Sequence, residues 1–200
     1  MKWSAALIVV LLSAGACVGE EGWISLFDGR SLEGWKAGEN ASTFSVVDGA
    51  IVAHGPRSHL FYVGPVQDHS FKNFELKADV MTTPGSNSGI YFHTNYQQSG
   101  WPRTGFECQV NNTHRDPKRT GSLYNVKNVR QTTAKDNQWF VYHITVNGKR
   151  VVIRIDGKVV VDYAEPDDTH RLSNGTFALQ GHDPRSKVYY KNILVKPLAD

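Results

Sequence analysis

The amino-acid sequence predicts an all-β protein built from two antiparallel sheets packed face to face, a β-sandwich of the jelly-roll or lectin type. Apolar and polar residues alternate with a period of two along most of the chain after its first twenty residues, and no apolar stripe has helical spacing there. Asp-Gly and Asn-Gly pairs separate the alternating segments at 48–49, 147–148 and 156–157. Their positive φ angles suit the tight turns of β-hairpins.

Ten strands are predicted, each with one apolar face. Two strands form a hairpin in 44–55, three fill 139–163, and single strands lie in 74–82, 89–95, 105–112, 176–182 and 187–196. Two packed sheets would cover all of these apolar faces. No repeat or linker divides the chain, so one domain is expected over residues 22–198.

The first residues have the layout of an export signal. Lys2 precedes an apolar run over 5–12 that is too short to span a bilayer, and small residues follow. Ala14-Gly15-Ala16 fits ordinary signal peptidase, whereas the same residues before Cys17 suit a bacterial lipoprotein signal. We favour a signal over 1–16 with Cys17 lipidated. The mature protein is then expected in the periplasm or on the outer membrane of a bacterium, or otherwise secreted.

The charge limits which partners the protein can bind, and the position of Cys108 indicates how its thiol behaves. The formal net charge of +3 and the lack of any Lys/Arg run argue against nucleic acid, and a membrane would be contacted only through the lipid anchor. Cys108 lies on the apolar side of its predicted strand, which indicates an inert buried thiol.

An unusual polar face occurs in the segment GFECQVNN at 105–112. Phe106, Cys108 and Val110 form its apolar face. The opposite face carries Glu107, Gln109 and Asn111, none of which favours strands. This face is either wet surface or a surface that binds hydroxyl groups, and we favour the second interpretation.

Two other strands carry similar faces, and a long polar segment accompanies them. Tyr91, His93 and Asn95 would share one face, and the aromatic ring and amide among them suit a sugar. Gln180 and His182 share another. The segment 111–128, which includes Tyr124, is the least strand-like part of the chain and either walls a pocket or is solvated.

Several classes of site are absent from the sequence. It has no Gly-rich phosphate loop, no G-x-S-x-G elbow and no zinc-type spacing of Cys and His. No cofactor is firmly predicted, although a His/Glu pair from different strands could hold a divalent metal ion. A conventional glycosidase needs two carboxyl groups, and the strand of Glu107 supplies only one.

Six short segments, in order along the chain, resemble the 3-keto-disaccharide hydrolase domain family, whose members have a concanavalin-like jelly-roll fold. The resemblance extends from about residue 22 to 197. The segments are LFDGRSLEGW (26–35), NSGIYF (87–92), GFECQV (105–110), TGSLY (120–124), LQGH (179–182) and YYKNILVK (189–196). Family members often have Arg, Asp and Arg at the positions of His93, Asn111 and Lys191. These departures bear on substrate and turnover more than on fold.

The resemblance implies an exported enzyme that cleaves the glycosidic bond of 3-keto-glycosides or 3-keto-disaccharides. A ketone at C3 acidifies the C2 proton, so one base and some enolate stabilisation suffice for elimination, and water adds afterwards. The expected catalytic residues are Glu107 or His182 as base, with His93 and Tyr124 as proton donor or enolate partner. The expected substrate-binding residues are Gln109, Asn111, Gln180, Tyr91, Asn95 and Lys191.

A separate sugar 3-dehydrogenase would have to make the ketone, because the chain has no dinucleotide fingerprint. The sequence also permits two alternatives. The first is a non-catalytic, lectin-like carbohydrate-binding protein, and the second is a conventional glycoside hydrolase.

Overall fold

A computed structural model describes residues 22–199 of the chain. The predicted signal over 1–16 and the predicted lipidation site Cys17 lie outside the described residues. Short 3₁₀ segments occupy Ala41–Thr43 and Val66–His69. The strands are β1 (Ile24–Ser25), β2 (Trp35–Ala37), β3 (Phe44–Val47), β4 (Ala50–Ala53), β5 (Ser58–Tyr62), β6 (Phe74–Thr82), β7 (Ser88–Thr94), β8 (Phe106–Val110), β9 (Phe140–Asn147), β10 (Arg150–Ile155), β11 (Lys158–Ala164), β12 (Thr176–Gly181) and β13 (Val188–Pro197).

The strands form two antiparallel sheets, as the alternation predicts. The larger sheet has eight strands in the order β11-β10-β9-β6-β13-β4-β3, with β1 paired to β13. The smaller sheet has five strands in the order β2-β5-β12-β7-β8. The predicted hairpin turns at Asp48-Gly49 and Asp156-Gly157 are present, with the positive φ angles that such turns require. The turn predicted at Asn147-Gly148 lies one residue later, at Gly148-Lys149, because Asn147 ends β9 opposite Arg150.

The core lies between the sheets. Along β6 the buried residues alternate with half-buried ones over all nine positions, and along β9 they alternate with half-buried or exposed ones. Side chains of β8 that point inward are Phe106, Cys108 and Val110, each of them at most 1% exposed. The predicted inert thiol of Cys108 is therefore buried, and burial raises its pKa well above the ordinary value.

The smaller sheet is covered on both faces. All residues of β5, β7 and β12 are buried, including those that point away from the core. The long loops at 95–105 and 111–139 flank β8. A sheet face that is polar in sequence yet buried needs hydrogen-bond partners or a ligand.

Three of the strands in the structure, β1, β2 and β5, were not among the ten predicted. β1 and β2 have only two and three residues, too few to show alternation. β5 is buried on both faces, so its sequence SHLFY does not alternate. No helix within residues 22–199 is long and apolar enough to cross a membrane.

Candidate functional site

The outward face of the smaller sheet brings polar residues from four strands together. Strand pairing sets Gln180 of β12 opposite His59 of β5, and it sets Glu107 of β8 opposite Tyr91 of β7. Because directly paired residues of antiparallel strands point to the same face, these side chains share one surface. Glu107, Tyr91 and Gln180 form the floor of a cavity.

The cavity has a volume of about 340 Å³. Its wall comes from the loops around β8, from the β11–β12 connection and from the start of the β12–β13 connection. The lining residues are Asn87, Tyr91, Trp101, Pro102, Glu107, Gln109, Tyr124, Arg171, Gln180 and His182. Of these, only Glu107 carries a carboxylate. A pocket of this size with a few convergent polar groups is typical of a small-molecule site.

Glu107 is the central group of the floor. Its Oε2 accepts a hydrogen bond of 2.8 Å from the Tyr91 hydroxyl, and its Oε1 accepts one of 2.9 Å from Nε2 of Gln180. Burial raises the pKa of Glu107 to about 7, although both hydrogen bonds act in the opposite direction. A carboxyl group with this pKa exchanges protons readily at neutral pH.

Gly89 provides the space in which Glu107 lies. A Cβ atom at position 89 would come within 2.6 Å of Oε1 and 2.9 Å of Cγ of Glu107. Real Cβ atoms do not approach other atoms so closely, so any side chain here would displace the carboxyl group. The NSG segment at 87–89 therefore shapes the floor through the residue that lacks a side chain.

Two amide oxygens of the floor are without a protein partner. Gln109 donates from Nε2 to Oδ1 of Asn87 at 2.8 Å, and Gln180 donates to Tyr91 and Glu107. The Oε1 atoms of both glutamines are buried and accept no hydrogen bond. Buried acceptors without partners are costly, and hydroxyl groups of a bound ligand would satisfy them.

His182 faces the cavity as part of a hydrogen-bonded pair. Its Nδ1 lies 2.7 Å from Oδ2 of Asp183, whose pKa falls to about 2 because hydrogen bonds, first from His182 and then from Arg185 and Ser186, outweigh the effect of burial. The ionised carboxylate can only accept, so Nδ1 of His182 is the protonated nitrogen. Nε2 is then the nitrogen that can take up a proton.

The predicted polar segment 111–128 forms one wall. Its chain runs along the free edge of β8, where the backbone N–H of Tyr124 donates to the carbonyl of Glu107 at 2.8 Å. The ring of Tyr124 lies beneath Nζ of Lys118, which is 4.1 Å from the ring centroid. The backbone hydrogen bond and the contact with Lys118 together hold Tyr124 beside Glu107.

Six predicted site residues line the cavity together. They are Glu107, Gln109, Gln180, Tyr91, Tyr124 and His182. Except for Tyr124, which belongs to the polar segment 111–128, the sequence grouped them by period-two faces. The strand pairing of β12, β7 and β8 brings those faces side by side.

The prediction that His93 shares a face with Tyr91 is wrong. His93 has φ of +53°, and the pairing of β7 with β12 shifts register nearby, which is a local bulge. Its ring is buried outside the cavity, with Nε2 2.9 Å from the carbonyl of Lys72 and Nδ1 accepting from the N–H of Ser173. Asn95 is exposed and follows the end of the strand, and it too does not line the cavity.

Asn111 and Lys191 also lie outside the cavity. Asn111 follows the last residue of β8, and its side chain binds the polar segment. Nδ2 donates to the carbonyls of Asp116 and Lys118, and Oδ1 accepts from the N–H of His114 and from Arg119. Lys191 belongs to the larger sheet.

The ammonium group of Lys191 lies 4.1 Å from the ring centroid of Trp139. The structure therefore does not bring Asn111 and Lys191 together with the predicted site residues that line the cavity.

The sequence did not indicate several lining residues. Asn87, Trp101, Pro102 and Arg171 come from loops, where no period reveals which side chains point inward. Trp101 gave a signal that could have been used, because a Trp in the polar loop at 95–105 offers an aromatic surface that can pack on a ligand. Within residues 22–199 no cluster of three or more His, Cys, Asp or Glu residues is arranged to hold a metal ion.

Comparison with known proteins identifies the family. Residues 22–196 match the model of the 3-keto-alpha-glucoside-1,2-lyase-like domain. The chain belongs to this family. The resemblance seen in the sequence is thus confirmed. A 3-keto-disaccharide hydrolase from Bacteroides thetaiotaomicron is 34% identical over 82 residues, which are 38% of this chain and 28% of that protein. The match therefore spans less than a third of that relative's length.

Solved structures share the fold. A candidate glycosyl hydrolase from Parabacteroides distasonis superposes with a TM-score of 0.74 and 22% identity, over 90% of this chain and 95% of that one. The carbohydrate-binding module CBM66 from Bacillus subtilis superposes with a TM-score of 0.58 and 14% identity, over 82% of this chain and 95% of that one. The VIP36 exoplasmic/lumenal domain superposes with a TM-score of 0.60 and 10% identity, over 91% of this chain and 90% of that one. The predicted lectin-like sandwich is confirmed.

Proposed function

We propose that this family member cleaves the glycosidic bond of a 3-keto-glycoside by removing the C2 proton and expelling the group at C1. The observation that carries the proposal is the content of the cavity. It holds one carboxyl group, Glu107, and one imidazole, His182, that is oriented by a carboxylate. That set suits elimination next to a ketone better than conventional hydrolysis by two carboxyl groups.

His182 is the proposed base. Its Nδ1–H is held by Asp183 at 2.7 Å, so Nε2 is presented in one tautomer and one orientation. The ionised Asp183 also stabilises the imidazolium that forms when Nε2 takes the C2 proton. The sequence left Glu107 and His182 as alternative bases, and this pairing favours His182.

Glu107 is the proposed acid. With a pKa of about 7 it is protonated in a large fraction of molecules at neutral pH, and it can give that proton to the departing oxygen. After the leaving group has gone, the same carboxylate can take a proton from water. Tyr91 and Gln180 hold it in place during both steps.

The bonds change as follows. The C2–H bond breaks, its proton goes to His182, and its electron pair forms an enolate with the C3 carbonyl. The enolate then collapses, C1=C2 forms, and the C1–O bond breaks with its electron pair on the oxygen that Glu107 protonates. Tyr124 and Arg171, both at the cavity wall, would offset the enolate charge. Addition of water across C1=C2 completes a net hydrolysis.

The unpartnered oxygens of Gln109 and Gln180 would accept hydrogen bonds from sugar hydroxyls. The C3 ketone must come from another enzyme, a sugar 3-dehydrogenase. We further propose that the chain acts after export, through the signal over 1–16 and the lipid on Cys17.

One observation favours a second candidate function, carbohydrate binding without turnover. Both carboxylate oxygens of Glu107 already accept hydrogen bonds from the protein, which would restrain the group as a donor or acceptor for substrate. A binding protein needs only the polar floor and its unpartnered acceptors. Incubation with a 3-keto sugar and with its unoxidised parent separates the two functions.

The test is mass spectrometry of products after incubation with a 3-keto α-linked glucose disaccharide and, in parallel, with its unoxidised parent. We expect cleavage of the keto sugar alone. Cleavage of both would indicate a conventional glycosidase, and binding of the sugars without cleavage of either would establish the binding protein.

Variants assign the two roles. His182→Gln should abolish turnover with every leaving group, because the C2 proton must always be removed. Glu107→Gln should abolish cleavage of a sugar leaving group but spare an aryl leaving group that needs no proton. His143→Gln is the matched control, since His143 makes a 2.7 Å pair with Glu75 on the outer face of the larger sheet, away from the cavity. Equal losses with both leaving groups in Glu107→Gln would refute the acid role.

A further inference from the structure

Trp101 at the cavity rim is exposed to an unusual degree for its size. It is 44% exposed, although the loop that carries it lies against the body of the protein. Its ring and that of Pro102 line the same cavity as Glu107 and His182. The centroid of the indole lies 5.6 Å from that of His182, so this apolar surface begins next to the proposed base.

The loop of Trp101 is ordered by its own hydrogen bonds. Gln97 donates from Nε2 to the carbonyls of Ser99 and Trp101, each at 2.8 Å, and accepts the N–H of Arg103 at 3.2 Å. One side chain thus closes the loop around Trp101. A surface held in place before binding loses little conformational entropy when a ligand arrives.

The same loop is fastened to the start of the domain. Glu39 accepts the N–H of Gly100 at 3.4 Å and forms a two-pronged pair with Arg57 at 2.8 and 3.0 Å. The Arg57 guanidinium lies 5.4 Å from the ring centroid of Trp101. At Gly38 a Cβ atom would lie 3.2 Å from the carbonyl oxygen of Gln97, so the two segments are in close contact.

His59 supports the indole from beneath. Its ring centroid lies 5.4 Å from that of Trp101 and 5.3 Å from that of Tyr91, edge to face in both cases. Burial lowers the pKa of His59 to about 4, so the ring is neutral at physiological pH. A chain of rings therefore joins the rim to Tyr91, which holds Glu107.

We infer that Trp101 is the platform of a subsite for the leaving group, and that this group is a second pyranose ring. This inference rests on the proposed function. The reacting ring must reach the recessed floor, where Glu107 and the two glutamine oxygens lie, so the part beyond the scissile bond extends to the rim. One face of a pyranose presents C–H groups, which pack on an aromatic ring while the hydroxyls stay in water.

The first experiment measures binding without turnover. Calorimetry compares an unoxidised α-linked glucose disaccharide with methyl α-glucoside, which lacks the second ring, on wild type, Trp101→Ala and Trp101→Phe. Trp101→Ala should bind the disaccharide about 10-fold more weakly, a loss of about 1.4 kcal/mol, and the methyl glycoside within about twofold of wild type. Trp101→Phe should recover most of the affinity. Trp139→Ala, which removes a Trp that is 40% exposed beside Lys191 on the larger sheet, should leave both unchanged.

The second experiment uses the 3-keto forms of the same two sugars. Trp101→Ala should raise KM for the disaccharide about 10-fold and leave KM for the methyl glycoside and kcat for both nearly unchanged. Equal effects on the two sugars, no effect on either, or wild type that binds the disaccharide no better than the methyl glycoside would overturn the subsite. If wild type cleaves no keto sugar, and Trp101→Ala still loses affinity for the disaccharide alone, the proposed reaction fails and the subsite stands.

Discussion

Replacement of Glu107 by Gln should stabilise the protein, and should do so more at high pH than at low pH. Burial raises the pKa of this carboxyl from 4.5 to about 7. At about 1.4 kcal/mol for each pKa unit, ionised Glu107 costs the folded state about 3 kcal/mol. Glutamine keeps the shape and cannot ionise.

The sign of the pH dependence follows from proton linkage. Well below pH 4.5 the carboxyl is neutral in both the folded and the unfolded state, so it contributes nothing. As the pH rises above 4.5 the unfolded state ionises first, folding must take up a proton, and stability falls until the folded carboxyl also ionises near pH 7. Between pH 5 and pH 8 the variant should therefore gain about 2 to 3 kcal/mol over wild type.

Urea unfolding at pH 5 and pH 8 measures this difference directly. The free energy of unfolding is compared between Glu107→Gln and wild type at each pH, so titration of all other groups cancels. In thermal melts the gain corresponds to about 4 to 10 °C. The same difference at both pH values would show that Glu107 titrates normally in the folded state, and the acid role proposed for it would then lose its basis.

Three further predictions concern the floor, the base and the wall. Gly89→Ala should displace Glu107 and reduce turnover at least 100-fold while costing about 1 to 3 kcal/mol of stability, and wild-type kinetics would contradict the packing seen here. Asp183→Asn should lower kcat about 100-fold with little change in sugar affinity, because His182 loses its fixed tautomer, whereas unchanged kcat would remove His182 as base. Asn111→Ala should lower the free energy of unfolding by about 2 to 4 kcal/mol in urea, since four hydrogen bonds are lost, and a loss below about 0.5 kcal/mol would refute its structural role.

The sequence was sufficient to predict the strands whose residues alternate and the Asp-Gly turns between them. In β6 and β9 the buried positions carry apolar residues except for Thr82 at the end of β6, and the Asp-Gly turns set the register of the neighbouring strands. The face of Glu107 and Gln109 could be assigned because their strand keeps a strict period of two. Local patterns of this kind are readable since they depend only on neighbours along the chain.

The errors occurred where the backbone departs from that period. His93 has a positive φ within β7, and this bulge turns its side chain out of the face that Tyr91 occupies. Asn111 lies one residue past the end of β8, so its amide binds the following loop. Neither a bulge nor a strand end has a marker in a single sequence without glycine at the position.

The cost of the floor to the stability of the fold is the strongest physical argument that the floor exists to bind a ligand. Glu107 is held where burial penalises its charge, and the Oε1 atoms of Gln109 and Gln180 are buried without donors. A sheet face with only a structural role would lose nothing by carrying Thr or Val at these positions, and it would fold more stably. By contrast, the half-buried pair of His143 and Glu75 on the larger sheet satisfies itself. Glu107 and the two glutamine oxygens meet at one cavity, beside a fixed histidine and an ordered tryptophan, so a hydroxyl-rich ligand that offsets their costs accounts for these three groups together.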